Sequence, residues 1–171
     1  VGELKVFQRR ANWCAPLHNA PITEAEQSRI KASYDDIFAR CMKTPGGFLH
    51  GPDRRSYAEV SEADRLEFWE SLYASPGFGV WLGNFREVLM DKEINWEFSE
   101  FIANKIRARV NNPDVAELLI PKDHGFGSRR VPMETFYYEA YNRPNVELVD
   151  LNAAPIERIT ENGLKTTAAE Y

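Results

Sequence analysis

Apolar positions change their spacing twice along this chain. The start, Leu4-Lys5-Val6-Phe7, alternates as a short strand does. It is a lone strand whose edges need neighbours, and nothing close in sequence supplies them. A loop broken by Pro16 and Pro21 follows. Thr23 with Glu26 then forms a capping box, and Ile30, Tyr34, Ile37, Phe38 and Met42 recur at helical spacing until Pro45-Gly46-Gly47 stops the helix. Ser61 caps a second helix carrying Leu66, Trp69, Leu72 and Tyr73, which Pro76-Gly77 ends. Two more helical patterns run through Val80, Trp81, Phe85, Val88 and Leu89, and through Ile94, Phe98, Phe101, Ile102, Ile106 and Val110. Asn112 before Pro113 reads as an N-cap and first-turn proline opening a short helix to Leu119.

Beyond residue 120 the character changes. Residues 121–127 form a loop, Arg129-Arg130 follows, and an aromatic stretch of Phe136, Tyr137, Tyr138 and Tyr141 ends at Pro144. Residues 146–149 alternate like a strand. Ile156–Ile159 and Leu164–Thr166 flank Asn162-Gly163, a hairpin turn signal. The layout is strand, helical block, strands. It implies a mainly α chain, either a helical insertion between two parts of one sheet-containing domain or a helical domain with strand tails.

Composition narrows the class. With 171 residues, 43% hydrophobic and 27% charged, the chain has the makeup of a folded soluble protein. No run approaches the roughly 18 apolar residues of a membrane span. The net charge of −5 disfavours nucleic acid as a partner. Cys14 and Cys41 lie outside any CxxC or Cys/His metal spacing and read as free thiols in a reducing cytoplasm. His18, His50 and His124 read as loop histidines, so no metal site is expected. Trp69, Trp81, Trp96 and the tyrosine cluster read as core, and Arg54 and Arg55 as solvated.

Two segments have the residues for anion chemistry. Arg9 and Arg10 follow the opening strand, and in dinucleotide-binding folds ligands sit beyond the carboxyl ends of strands, where an arginine can take a 2′-phosphate. The plain alternative is two solvated arginines, since no GxGxxG precedes them. Gly125-Phe126-Gly127-Ser128-Arg129-Arg130 offers glycines for close backbone approach and two more cations; surface exposure is again the plain alternative.

Ordered short matches carry further. VFQRRANWCAP (residues 6–16) resembles a segment of type I Baeyer–Villiger monooxygenases that reads VFQRTxNWxxP. Residues 19–23 with Ile30, Lys31 and Tyr34 resemble the start of their helical domain, and Pro45-Gly46-Gly47 its turn. Residues 101–107 resemble FIRxKIR. Ile120-Pro121-Lys122 with Gly127-x-Arg129-Arg130 resembles LxPKxxPFGxKR. Tyr137-Tyr138-Glu139, Asn142-Arg143, Asn145-Val146 and Leu148-Val149-Asp150 match YYExFNRxNVxLVD, and residues 155–163 match PIExITxxG.

The resemblance implies a parent enzyme that uses FAD, NADPH and O₂ and inserts one oxygen atom beside a ketone carbonyl, giving an ester or lactone. It implies that Arg130 stands by the flavin and nicotinamide, where fixed positive charge favours developing negative charge. It implies that Arg9 and Arg129 bind the NADPH 2′-phosphate. Arg10 departs from the commoner threonine, which leaves its cofactor role open, and Arg129 replaces the usual lysine. The implied layout is residues 1–15 as the end of an NADPH-domain strand and linker, 16–122 as a helical insertion domain, and 123–171 as the return into the NADPH domain, with a small β remnant of a Rossmann-like domain at both ends. No flavin or nucleotide glycine fingerprint and no FxGxxxHxxxW signature occurs in these residues. The chain alone is therefore expected to be inactive, to hold no cofactor, and to self-associate through faces left uncovered. Rival readings are a non-catalytic helical interaction module and part of an N- or S-oxygenating flavin monooxygenase.

Overall fold

The structure is a computed structural model that describes residues 2–44 and 46–171. It is mainly helical with few, short strands, and it divides into two compact units. One comprises Cys14–Phe98 and Phe126–Thr135; the other comprises Val1–Trp13, Ser99–Gly125 and Phe136–Tyr171.

The first unit is helical. Thr23 and Glu26 exchange the expected capping bonds, Thr23 Oγ1 accepting from the Glu26 N–H at 3.2 Å and a Glu26 carboxylate oxygen accepting from the Thr23 N–H at 2.9 Å. The helix they open, α1 (Glu24–Ala32), does not run on to Met42. A second helix, α2 (Tyr34–Cys41), begins after Ser33. The Ser33 hydroxyl donates back to the Arg29 carbonyl at 2.7 Å, a local bond that competes with the helix ladder and breaks it here. Neither helix buries a residue, and Ile30, Tyr34, Phe38 and Met42 lie exposed. The Pro45 stop signal lies outside the described residues.

Ser61 caps α3 (Glu62–Ala74) as expected, accepting from the Asp64 N–H at 3.2 Å. The pattern across residues 80–89 is two four-residue helices, α4 (Gly79–Leu82) and α5 (Glu87–Met90), separated by residues 83–86. Buried Asn84 explains the interruption. Its Oδ1 accepts from Trp69 Nε1 at 3.0 Å and from the Phe85 N–H at 2.8 Å, so the chain turns around one amide. The core stacks Trp69 edge-on to Phe98 and Phe98 edge-on to Phe126, with centroids 5.0 and 5.2 Å apart. Trp81 is only half-buried. Trp96, expected in the core, is 37% exposed, because α6 (Lys92–Arg109) buries Phe98, Phe101, Ile102 and Ile106 and turns residue 96 elsewhere. Arg54 and Arg55 are exposed as expected; Arg55 also pairs with Asp53 at 2.9 Å and lies over the Phe68 ring. Two-residue strands β2 (Ala15–Pro16) and β3 (Met133–Glu134) pair in parallel.

In the second unit, α7 (Pro113–Leu119) starts on the Asn112 cap, whose Oδ1 accepts from the Asp114 N–H at 2.9 Å. α8 (Tyr137–Ala140) follows Phe136, which holds a left-handed φ of 58°. Tyr138 and Tyr141 are buried, whereas Tyr137 is 37% exposed. Arg109 grips Glu139 with two parallel bonds of 2.6 and 2.8 Å. The opening strand finds its neighbour at the far end of the chain. β1 (Leu4–Gln8) pairs in parallel with β4 (Val146–Asp150), Leu4 against Val146 through Gln8 against Asp150. Parallel pairing needs a long crossover, which is why local sequence could not supply the partner. β5 (Ile156–Ile159) and β6 (Leu164–Thr166) form the antiparallel hairpin expected at Asn162-Gly163.

Candidate functional site

Register places the carboxyl ends of β1 and β4 side by side, Gln8 opposite Asp150. Gln8 fixes this end by donating its amide to the Leu118 carbonyl at 2.7 Å. Just beyond opens a cleft of about 300 Å³ whose charged lining is Arg9, Arg10, Lys122, Glu117, Asp123 and Asp150. Ligand sites in parallel sheets lie at this end of the strands.

Most of these charges are committed to each other. Lys122 pairs with Glu117, which also accepts from Arg107 Nε at 2.6 Å. The Arg107 and Lys122 bonds hold the Glu117 carboxyl well down, to about 2. Asp150 Oδ1 accepts from the backbone and side-chain N–H groups of Asn152, both at 2.9 Å, and Asn152 Nδ2 also donates to the Arg9 carbonyl at 2.8 Å. That fixes the backbone that carries Arg9. Arg10 reaches Asp123 across 3.7 Å. The Arg9 guanidinium is exposed and has no ion pair among the described residues.

His124 lies in a loop, as its Gly- and Pro-rich surroundings predict, but it is buried and both ring nitrogens have partners. It is 9% exposed, its Nδ1 lies 2.7 Å from Asp123 Oδ1, and its Nε2 lies 3.3 Å from Asn12 Oδ1. Its carbonyl accepts from the indole N–H of buried Trp13 at 2.9 Å. Lys122, Asp123, His124 and Asp150 were therefore missed as neighbours of Arg9. The only signal was a charged run beginning at Lys122, and Arg10 and Asn12, which meet Asp123 and His124, lie more than 100 residues earlier.

Arg129 and Arg130 belong to the helical unit. Both are exposed on a loop whose flanks, Phe126 and Val131, are 0% and 3% exposed. Asn95 Nδ2 donates to the Phe126 carbonyl at 2.8 Å, and Gly127 turns the chain with φ of 78°. The loop is thus pinned on both sides of the arginine pair. A larger cavity in the same unit, about 700 Å³, is bounded by Leu17, His18, Pro21, Ile22 and Ile30. Its carboxylate, Glu26, is occupied in the α1 cap.

No protein-family model matches the chain. It is 49% identical over 169 residues to 2-oxo-Delta(3)-4,5,5-trimethylcyclopentenylacetyl-CoA monooxygenase of Pseudomonas putida, covering 99% of this chain and 31% of that protein. It is 34% identical to a Baeyer–Villiger monooxygenase of Pseudooceanicola batsensis over 98% of this chain and 30% of that protein. Its high-identity homologues and structural neighbours are Baeyer–Villiger monooxygenases, and a phenazine N-monooxygenase of Lysobacter antibioticus is 34% identical over 95% of this chain and 30% of that protein. The crystal structure of OTEMO in complex with FAD and NADP superposes with a TM-score of 0.96 at 49% identity, over 99% of this chain and 31% of that one. The chain spans about a third of the length of the curated Baeyer–Villiger relatives it matches. Among the described residues no helix is long and apolar enough to cross a membrane, and no His/Cys/Asp/Glu group is placed to hold a metal ion.

Proposed function

We propose that this chain is the central part of an FAD- and NADPH-dependent Baeyer–Villiger monooxygenase. The parent protein takes up O₂ and a ketone and places one oxygen atom beside the carbonyl to give an ester or lactone. The observation that carries the reading is Arg9: a guanidinium with no ion pair among the described residues, on a backbone tied to Asn152, in a cleft at the carboxyl ends of two parallel strands.

The residues fit the 2′-phosphate end of NADPH. A cleft of about 300 Å³ takes that end of the nucleotide but not the whole dinucleotide. A phosphate monoester matches the planar fork of Arg9. In this reading residues 1–15 and 123–171 are parts of a Rossmann-like NADPH domain and residues 16–122 are a helical insertion. Arg129 is a further 2′-phosphate ligand. Arg130 is the catalytic arginine, its fixed charge set beside the flavin and nicotinamide. Bound flavin supplies the oxygen-transfer chemistry, and the chain contributes cations that bind and orient. The protein works in the cytoplasm, without nucleic acid or membrane as partner.

The test uses the full-length polypeptide that carries this chain, with flavin bound. Cyclic ketones are supplied with NADPH, and products are identified by mass spectrometry. Lactone formation is expected. Arg9→Ala is expected to raise KM for NADPH about tenfold or more, since a charged hydrogen bond contributes about 1.5–3 kcal/mol, while leaving KM for NADH in place. Sulfoxide or N-oxide products alone would transfer the chain to the other oxygenating flavoproteins. A polypeptide that binds neither flavin nor NADPH would make it an interaction module.

A further inference from the structure

Three cations line the cleft, and they are held in three different ways. Lys122 is neutralised by Glu117, and Arg9 has no counter-ion among the described residues. Arg10 stands between these extremes. Its one ion pair among the described residues spans 3.7 Å, and its side chain is 65% exposed. So long and exposed a pair adds little stability, and it leaves most of the guanidinium N–H donors for another acceptor. The carboxylate it touches is fixed from behind. Asp123 Oδ1 lies 2.7 Å from Nδ1 of His124, and His124 is seated by Asn12 and by the bond from buried Trp13.

We propose that Asp123, oriented by His124, is a positioning residue that holds Arg10 at the rim of the cleft as a second ligand for the phosphate monoester bound by Arg9. This rests on the reading of the cleft as the 2′-phosphate end of an NADPH site. The Asp123 pair limits where a long, flexible side chain points, so less rotamer freedom is lost when the anion arrives. A 2′-phosphate near neutral pH carries close to two negative charges, which two guanidiniums match better than one. Arginine at position 10, where the resembling family has threonine, thereby raises discrimination for the phosphorylated nucleotide.

Charge and positioning make opposite predictions for Asp123, and that makes the idea testable. Removing a negative charge from a phosphate site tightens binding if charge alone matters. It weakens binding if the carboxylate aims Arg10. Calorimetry on the full-length protein would compare 2′-phospho-ADP-ribose with ADP-ribose. Arg10→Thr is expected to weaken the first about tenfold and leave the second unchanged. Asp123→Asn is expected to weaken the first about threefold and to add nothing in an Arg10→Thr background. Arg10→Lys is expected to restore only part of the discrimination, since an ammonium lacks the fork. Tighter binding by Asp123→Asn overturns the positioning role. If Arg10→Thr is silent while Arg9→Ala abolishes discrimination, this proposal falls and the cleft reading stands. If Arg9→Ala is silent too, both fall.

Discussion

Lys5 on β1 and Glu147 on β4 are ion-paired across the parallel ribbon although 142 residues separate them. The hydrogen bond to Glu147, then that to Glu3, raises the Lys5 ammonium above its ordinary value. The pair marks the register more than it holds the ribbon, because exposed ion pairs contribute little. Val149, 4% exposed on β4 opposite Phe7, does the holding. Val149→Ala is expected to destabilise the protein by about 2 kcal/mol through lost burial and a residual cavity. Lys5→Ala should leave the urea midpoint nearly unchanged. Equal losses from the two would mean that the ribbon is held by charge.

Glu117 is the carboxyl that makes acid sensitivity local. Its bonds to Arg107 and Lys122 lower its pKa from about 4.5 to about 2 in the folded chain. A depressed carboxyl contributes stability that is complete above the unfolded pKa and is lost as pH falls through the folded one. The window is therefore pH 4.5 down to 2. Glu117→Gln is expected to flatten that limb of a stability–pH profile and to leave stability between pH 6 and 8 only slightly lower, since the group is part-exposed. An unchanged acid limb would remove Glu117 from this role.

Local chemistry was legible in the sequence and non-local chemistry was not. The Thr23–Glu26 box, the Ser61 and Asn112 caps, the opening strand and the Asn162-Gly163 hairpin each depend on residues within a few positions, and each is present. The break at Ser33 was hidden because apolar spacing is blind to a hydroxyl that bonds back to a carbonyl. Residue type alone puts Trp96 in the core, but type does not say which face of α6 it occupies. In the cleft, Arg9 and Arg10 were legible from their place after a strand. Asp123 and His124 were not, because their partners Arg10 and Asn12 lie more than 100 residues earlier.

Gly127 governs the loop that bears Arg129 and Arg130. Its φ of 78° belongs to the left-handed region that favours glycine, and an added Cβ would meet Leu89 Cδ2 at 2.7 Å and Trp81 Nε1 at 3.0 Å. Strain and contact act together, so Gly127→Ala is expected to lower the melting temperature by several degrees, equivalent to about 1–3 kcal/mol. A melting temperature within a degree of the parent's would show that the loop relaxes freely and that the arginine pair is not rigidly presented.

Exposed apolar side chains give the last prediction. Phe38 on α2 is 60% exposed and Met42 at its end 87%, Ile30 on α1 and Tyr34 on α2 are exposed as well, and neither helix buries any residue. Helices rarely persist in water without an apolar face covered, and a contiguous uncovered patch marks an interaction surface. In the other unit, β1 and β4 form a two-stranded ribbon that leaves each strand one edge without a strand partner among the described residues. The 171-residue chain by itself is therefore expected to self-associate at high concentration. Light scattering after size exclusion would show a mass above 19.6 kDa that grows with loading. Phe38→Ser together with Met42→Ser should bring that mass back toward the monomer if the helical face drives association. A persisting oligomer would place the contact on the ribbon edges, and a clean monomer of the parent chain at every concentration would refute the idea.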